Sequence, residues 1–154
     1  MGERLTTGEV CTRSVTIAFK DTPLVDAARL MRAEHVGCLV VVEDGPAGRR
    51  TVSGLLTDRD IVTAVVAPGL DLNTLRVGDV MSSDLATARE DDSLIDLMRA
   101  MRAKGVRRMP VVGAQDELVG IATLDDVLAI LSEELSLLVA TIDHEGQRER
   151  RMRR

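Results

Sequence analysis

A chain of 154 residues with 45% apolar residues can form one compact domain or two small units sharing a core. A net charge of −5 and a single aromatic residue, Phe19, argue against a nucleic-acid binder that works through a basic surface or by stacking bases. Cys11 and Cys38 are too few for a disulfide framework or a zinc cluster, and no stretch reads as an apolar signal segment or approaches the ~18 apolar residues of a membrane span. The expected compartment is the cytoplasm, with no membrane partner.

Taken in order, residues 1–13 are polar and say little, and residues 15–18 read as a short strand. Asp21-Thr22-Pro23 is a helix-start signal, with Thr22 as cap and Pro23 at the first helical position. Leu24, Ala27, Ala28 and Met31 then recur at helical spacing, so a helix with one apolar face runs to about Glu34. Residues 36–42 are a nearly unbroken β-branched run, a strand buried on both faces, in which Cys38 is a small core residue. Residues 43–50 are a long hairpin turn, 51–56 the returning strand, and a short helix follows from Thr57 to about Ala67. A linker spans 68–78. The second half then repeats the first: a short strand at 85–88, a helix capped by Asp92-Ser93 and carrying Leu94, Leu97, Met98 and Met101, hairpin strands at 107–112 and 117–122, and a last helix opened by Thr123.

The repeat has a fixed register. Leu24 and Leu94, Met31 and Met101, and Val41 and Val111 are 70 residues apart, whereas Gly54 and Gly120, Thr57 and Thr123, and Asp60 and Asp126 are 66 apart. The first hairpin loop absorbs the difference, as loops do. Each unit is strand–helix–strand–strand–helix, too small to bury its sheet and both helices alone. The expectation is an α/β (α+β) module of two halves related by a pseudo-twofold axis.

The phrase Gly-x-x-Thr-x-x-Asp ends a buried strand in both halves. A helix N-terminus offers free N–H groups and the positive end of the helix dipole to a phosphate, a Thr hydroxyl adds to them, and an Asp on the first turn can accept both hydroxyls of a ribose. A glycine before it allows close approach of backbone. Thr-x-x-Asp is equally a capping box with Asp in the usual Glu or Gln position. On the residues alone both interpretations stand, because duplication copies caps as faithfully as sites.

The combination resembles a tandem pair of cystathionine β-synthase (CBS) domains, a Bateman module. The matching stretches are Val36-Gly37-Cys38-Leu39-Val40-Val41-Val42 and Gly54-Leu55-Leu56-Thr57-Asp58-Arg59-Asp60 in the first half. In the second they are Asp79-Val80-Met81, Val106-Arg107-Arg108-Met109-Pro110-Val111-Val112 and Leu118-Val119-Gly120-Ile121-Ala122-Thr123-Leu124-Asp125-Asp126. The resemblance implies one CBS domain over 9–68, a second over 78–136, and a helical extension with a basic tail over 137–154. It also implies adenosine-containing ligands of the AMP, ATP, NAD or S-adenosylmethionine class, with no cofactor required. Carried over residue by residue, Asp60 and Asp126 hold ribose and Thr57 and Thr123 contact phosphate. The backbone of Val15-Thr16 and of Leu85-Ala86 clamps the base. A basic residue before the hairpin strand faces phosphate in the neighbouring site, for which His35 and Lys104 are the nearest matches; on the residues alone these two read as solvated surface groups. Two departures separate the halves. Arg59, a phosphate partner, has Asp125 as its counterpart, and Val40 stands where the pattern has proline, as at Pro110. The Thr57–Asp60 copy is therefore the expected principal site.

No catalytic constellation is legible. His35 and His144 have no neighbouring motif for nucleophilic or metal chemistry, and Glu90-Asp91-Asp92 reads as a solvated turn. The expectation is a stand-alone, non-enzymatic regulator that senses an adenine nucleotide and signals to an effector protein not identifiable from the sequence; the alternative is a ligand-free scaffold. Leu128, Leu131, Leu135, Leu138 and Ile142 follow a 3.5-residue period. Leu128 and Leu131 are expected to pack on their own domain, and the stretch from Leu135 to Ile142 to offer a homodimer contact. The arginine-rich end from Arg148 is expected to be solvated, with nucleic acid a minor alternative.

Overall fold

Repetition in the sequence becomes repetition in space. The structure is a computed structural model and describes residues 5–152; Arg153 and Arg154 of the basic tail lie outside the described residues. Strand β1 (Ile17–Ala18) runs parallel to β2 (Cys38–Asp44), which pairs antiparallel with β3 (Arg50–Thr57). Strands β4 (Ala88–Arg89), β5 (Arg108–Val112) and β6 (Leu118–Thr123) repeat that order in a second three-stranded sheet. Even the bulge recurs, between Val41 and Val42 and between Val111 and Val112. The α+β architecture of two related units is as expected.

The helices follow their apolar stripes. Helix α2 (Leu24–Glu34) buries Leu24, Ala27 and Met31, and α5 (Leu94–Lys104) buries Leu97 and Met101. Ser93 caps α5 by accepting the Asp96 N–H at 3.2 Å. Thr22 does not cap α2: Pro23 occupies the cap position, and the Thr22 hydroxyl accepts the Phe19 N–H at 3.1 Å, closing the turn one step earlier. The strand expected from residue 36 begins at Cys38, because Val36 is used to end the preceding helix. Its N–H bonds the Met31 carbonyl at 3.0 Å while His35 turns left-handed at φ 54°; Val106 and Gly105 do the same in the second half. Leu39 and Val41 face the first core, and Val40 and Val42 are buried on the other face of β2.

After β3 the chain makes one α-helical turn, α3 (Asp58–Ile61), and then widens over Val62–Val66. There Ala67 bonds back five residues to the Val62 carbonyl at 2.9 Å, and Leu70 to Val65 at 2.9 Å. The wide turn keeps Ile61 and Val65 in the core and leaves Val62 and Val66 outside.

Two short helices were not legible beforehand: α1 (Thr7–Val10) and α4 (Val77–Val80). Their placement defines the fold, because each belongs to the opposite core. Val77 is fully buried in the first core with Val80 and Met81 against it, while Val10 and Cys11 pack on the second. The Val77 and Gly78 N–H groups bond the Thr22 and Lys20 carbonyls at 2.9 Å each; Thr7 and Gly8 bond the Asp92 and Glu90 carbonyls at 2.8 Å each. The chain then adds a short bridge to the far sheet. Thr12 and Ile121 exchange both backbone bonds at 2.9 Å, and Leu55 and Ser82 do so at 3.0 and 2.8 Å. The axis relating the halves passes where β3 meets β6, since the bridge there joins Thr51 to its own counterpart, Glu117.

Gly54 and Gly120 permit these bridges. A Cβ on Gly120 would sit 2.6 Å from the Cys11 sulfur and 2.8 Å from the Thr12 carbonyl oxygen, and one on Gly54 2.6 Å from the Met81 sulfur and 3.1 Å from the Ser82 oxygen. Close approach at these glycines is thus made by the chain's own exchanged segment. Gly120→Ala is expected to cost about 1–3 kcal/mol through overpacking against backbone, lowering the melting temperature by about 3–10 °C. Gly146→Ala, with nothing within 4 Å, is expected to leave it unchanged or raise it. Equal melting of the two variants by circular dichroism would contradict this role of Gly120.

Candidate functional site

The repeated phrase ends each third strand, β3 and β6, beside the exchanged bridge. Thr57 lies three residues beyond Gly54, still paired with Cys38 in the β2–β3 ladder, and Thr123 is likewise paired with Arg108. The following helix is tied down by the Asp58 N–H to the Gly37 carbonyl at 3.1 Å and by the Leu124 N–H to the Arg107 carbonyl at 2.8 Å.

Both copies form closed capping boxes. The Asp60 Oδ2 accepts from the Thr57 N–H at 2.8 Å and from the Thr57 hydroxyl at 2.7 Å, while the Thr57 Oγ1 accepts the Asp60 N–H at 3.2 Å. In the second half the corresponding distances are 3.0, 2.6 and 3.1 Å. The cap therefore uses one carboxylate oxygen. Among the described residues no hydrogen bond engages Oδ1 of Asp60 or Asp126, and both side chains are half-buried. Cap and ribose acceptor are compatible functions of one carboxylate.

The flanking charges differ between the copies. Arg59 is exposed at the start of α3. Its counterpart Asp125 is met by Arg107 at 3.5 Å, an exposed pair that offsets the acidity of the second copy. Arg108 was not singled out from sequence, although the offset of 70 makes it the counterpart of Cys38. Burial pushes the Cys38 thiol up to about 11; Arg108 draws it down, and the Asp60 and Asp58 carboxylates add to the rise. The Cys38 thiol thus feels both Asp60 and an arginine of the other half. Burial likewise raises the Cys11 thiol, against Arg13 and together with Glu90 and Asp126. Arg13 and Arg50 further line a cleft of about 200 Å³ with Val15, Ile17, Leu118 and Val119, where both halves contribute.

The segments expected to clamp a base are not equivalent. The Thr16 carbonyl accepts the Val40 N–H at 3.1 Å. Its counterpart Ala86 would need that bond from Pro110, which has no N–H, so the Ala86 carbonyl is left without it. The substitution of Val40 for proline thus occupies an acceptor in the first half whose counterpart, the Ala86 carbonyl, has no partner among the described residues. Leu85 and Ala86 are half-buried, as are Val15 and Thr16. His35 and Lys104 are exposed at the ends of α2 and α5 and are not equivalent positions, since His35 is matched by Gly105. Among the described residues no group of three His, Cys, Asp or Glu side chains is gathered as a metal would require, and no helix is long and apolar enough to cross a membrane.

The CBS domain family model matches residues 8–67 and 77–133, and the chain belongs to that family. It is 33% identical over 140 residues to the CBS domain-containing protein YhcV of Bacillus subtilis, covering 90% of this chain and 95% of that one. Among solved structures it is similar to Hypoxic Response Protein I, determined with two coordinated zinc ions. That match has a TM-score of 0.68 and 32% identity over 81% of this chain and 98% of that one. A hexameric CBS-CP12 protein from bloom-forming cyanobacteria matches with a TM-score of 0.71 and 27% identity, over 82% of this chain and 68% of that one.

Two outcomes are expected. Thr57→Ala opens the cap, costs about 1 kcal/mol and lowers the melting temperature by about 2–4 °C. With a thiol raised to about 11, Cys38 is about one part in a thousand thiolate at pH 8, and thiolate is the form that alkylates. Iodoacetamide labelling followed by mass spectrometry is expected to be slow there at pH 8 and to accelerate toward pH 11. Rapid modification at pH 8 in the folded protein contradicts the environment described.

Proposed function

We propose that this chain is a cytoplasmic, non-enzymatic regulatory module that binds an adenosine-containing ligand, of the AMP, ATP, NAD or S-adenosylmethionine class, and passes the bound state to an effector protein. The observation that carries the proposal is the doubled cap whose aspartate keeps one oxygen for a ribose, set at a helix N-terminus with arginines nearby. Ribose hydroxyls donate to Oδ1 of Asp60 or Asp126. Phosphate is met by Arg59 and, across the halves, by Arg108, and by the Thr hydroxyl when its one proton swings from the Asp Oδ2 to the ligand. The Ala86 carbonyl supplies an acceptor for the exocyclic amine of adenine. The Thr57–Asp60 copy favours phosphate-rich ligands, and the Thr123–Asp126 copy, with Asp125 beside it, disfavours them. Self-association accompanies this function, in keeping with the hexameric CBS-CP12 relative.

A second reading, a ligand-free scaffold, is favoured by the completeness of the caps, which give Thr57 and Asp60 a structural role without a ligand. Titration calorimetry with AMP, ATP, NAD and S-adenosylmethionine separates the two. Binding by the native chain is expected, weakened at least tenfold by Asp60→Ala and less by Asp126→Ala for ATP, and weakened for 2′-deoxy analogues. Unaltered binding by the double variant rejects the two capping aspartates as the site, and no heat with any of the four ligands leaves the scaffold reading in place. In that case no nucleotide raises the melting temperature, while Thr57→Ala still lowers it.

A further inference from the structure

The last helix, α6 (Leu124–Met152), is continuous for 29 residues, about 43 Å. Among the described residues of α6 only Val127 is fully buried, in the second core, with Leu124 and Ile130 half-buried. The stripe that docks the helix is thus turned by one residue from the 3.5-residue seam. Leu128 is 54% exposed and Leu131 38%, which overturns the expectation that these two pack on their own domain. Beyond them Leu135, Leu138 and Ile142 are 62%, 64% and 68% exposed, and every residue over 131–146 is exposed. A helix in a protein draws most of its stability from packing its apolar face, so this uncovered seam calls for a partner.

We infer that α6 pairs antiparallel with α6 of a second copy, Leu131 against Ile142 and Leu135 against Leu138, about a twofold axis between Ser136 and Leu137. This deepens the self-association in the proposed function and rests on it. Two observations identify the occupant and its direction. The seam is palindromic: its apolar residues at 131, 135, 138 and 142 are spaced four, three and four apart. A reversed copy therefore presents an apolar side chain to each, as the isologous contact of a twofold dimer requires. Second, the next seam position after Ile142 is Glu145. A parallel pair places this carboxylate against its own copy inside the seam; the antiparallel pair moves it to the margin opposite Leu128.

The test uses the full chain at tens of micromolar. Sedimentation equilibrium is expected to give a dimer. Leu135→Asp with Leu138→Asp is expected to weaken it at least 100-fold while leaving the thermal transition of the body intact, since both side chains are exposed. Leu137→Asp, equally exposed but off the seam, is expected to dimerise normally. Direction is read by spin labels on Ser136→Cys and on Asp143→Cys, with Cys11 and Cys38 replaced by Ser and Ala. These two positions share one place in the heptad. The antiparallel pair separates the Asp143 labels by about 20 Å more along the axis than the Ser136 labels, and a parallel pair gives equal distances. A monomeric native chain overturns self-association altogether. A dimer that survives the double substitution removes α6 as the interface and leaves self-association standing. Equal label distances overturn the antiparallel direction. Nucleotide binding, measured separately, is independent of all three results.

Discussion

Two reciprocal backbone bridges, Thr12 with Ile121 and Ser82 with Leu55, hold the molecule together across its pseudo-twofold axis. Each carries the opening segment of one half into the sheet of the other. Everything upstream of the bridge follows: α1 sits on the second core and α4 on the first, so neither half has a complete core without the chain of its neighbour. The bridging residue in each third strand, Leu55 or Ile121, is immediately preceded by Gly54 or Gly120, and the cap threonine lies three residues beyond that glycine. A displacement of one opening segment therefore reaches the helix start of the other half within a few bonds. In a regulatory module such coupling gives an effector something to read.

The cap and the candidate site are one set of atoms. A capping aspartate fixed by two donors to Oδ2 is held in place before any ligand arrives, which lowers the ordering cost of binding. The same economy explains why the site is hard to identify from the phrase alone, since the stabilising role accounts for every residue in it. The halves then diverge around this shared frame. The first has Arg59 but has closed the Thr16 carbonyl with Val40; the second has an unclosed Ala86 carbonyl but carries Asp125, partly offset by Arg107. The two copies thus differ at both positions that the proposed phosphate and base contacts would use, which adds a second difference to the Arg59–Asp125 exchange.

Helix α6 stands apart from this frame. Its first turns belong to the second core through Val127, and its remainder presents leucines to solvent along a seam rotated from the docking stripe. A helix rooted at the Thr123 cap and extending past the body connects the candidate site directly to a surface suited to another copy.

Much of this was legible in the chain. The 70- and 66-residue offsets dictated two like units, the apolar stripe of α2 and α5 dictated which faces are buried, and Thr-x-x-Asp dictated a helix start, because each depends on local periodicity or local hydrogen bonding. What was missed depended on distance in space. The Gly8-Glu9-Val10 and Gly78-Asp79-Val80 repeats could have disclosed α1 and α4, but not that each crosses to the other core. The glycines of the repeated phrase read as room for a ligand, and only the packed chain assigned that room to Cys11-Thr12 and Met81-Ser82. Thr22 was displaced as a cap by the fixed φ of Pro23, and Leu128 was left outside because Val127 won the contact with the core. The sequence by itself determined the elements, their repetition and the chemistry of the cap. Tertiary structure alone decided which half each opening segment completes, which carbonyl stays free and which leucines remain uncovered, since those follow from packing between residues far apart along the chain.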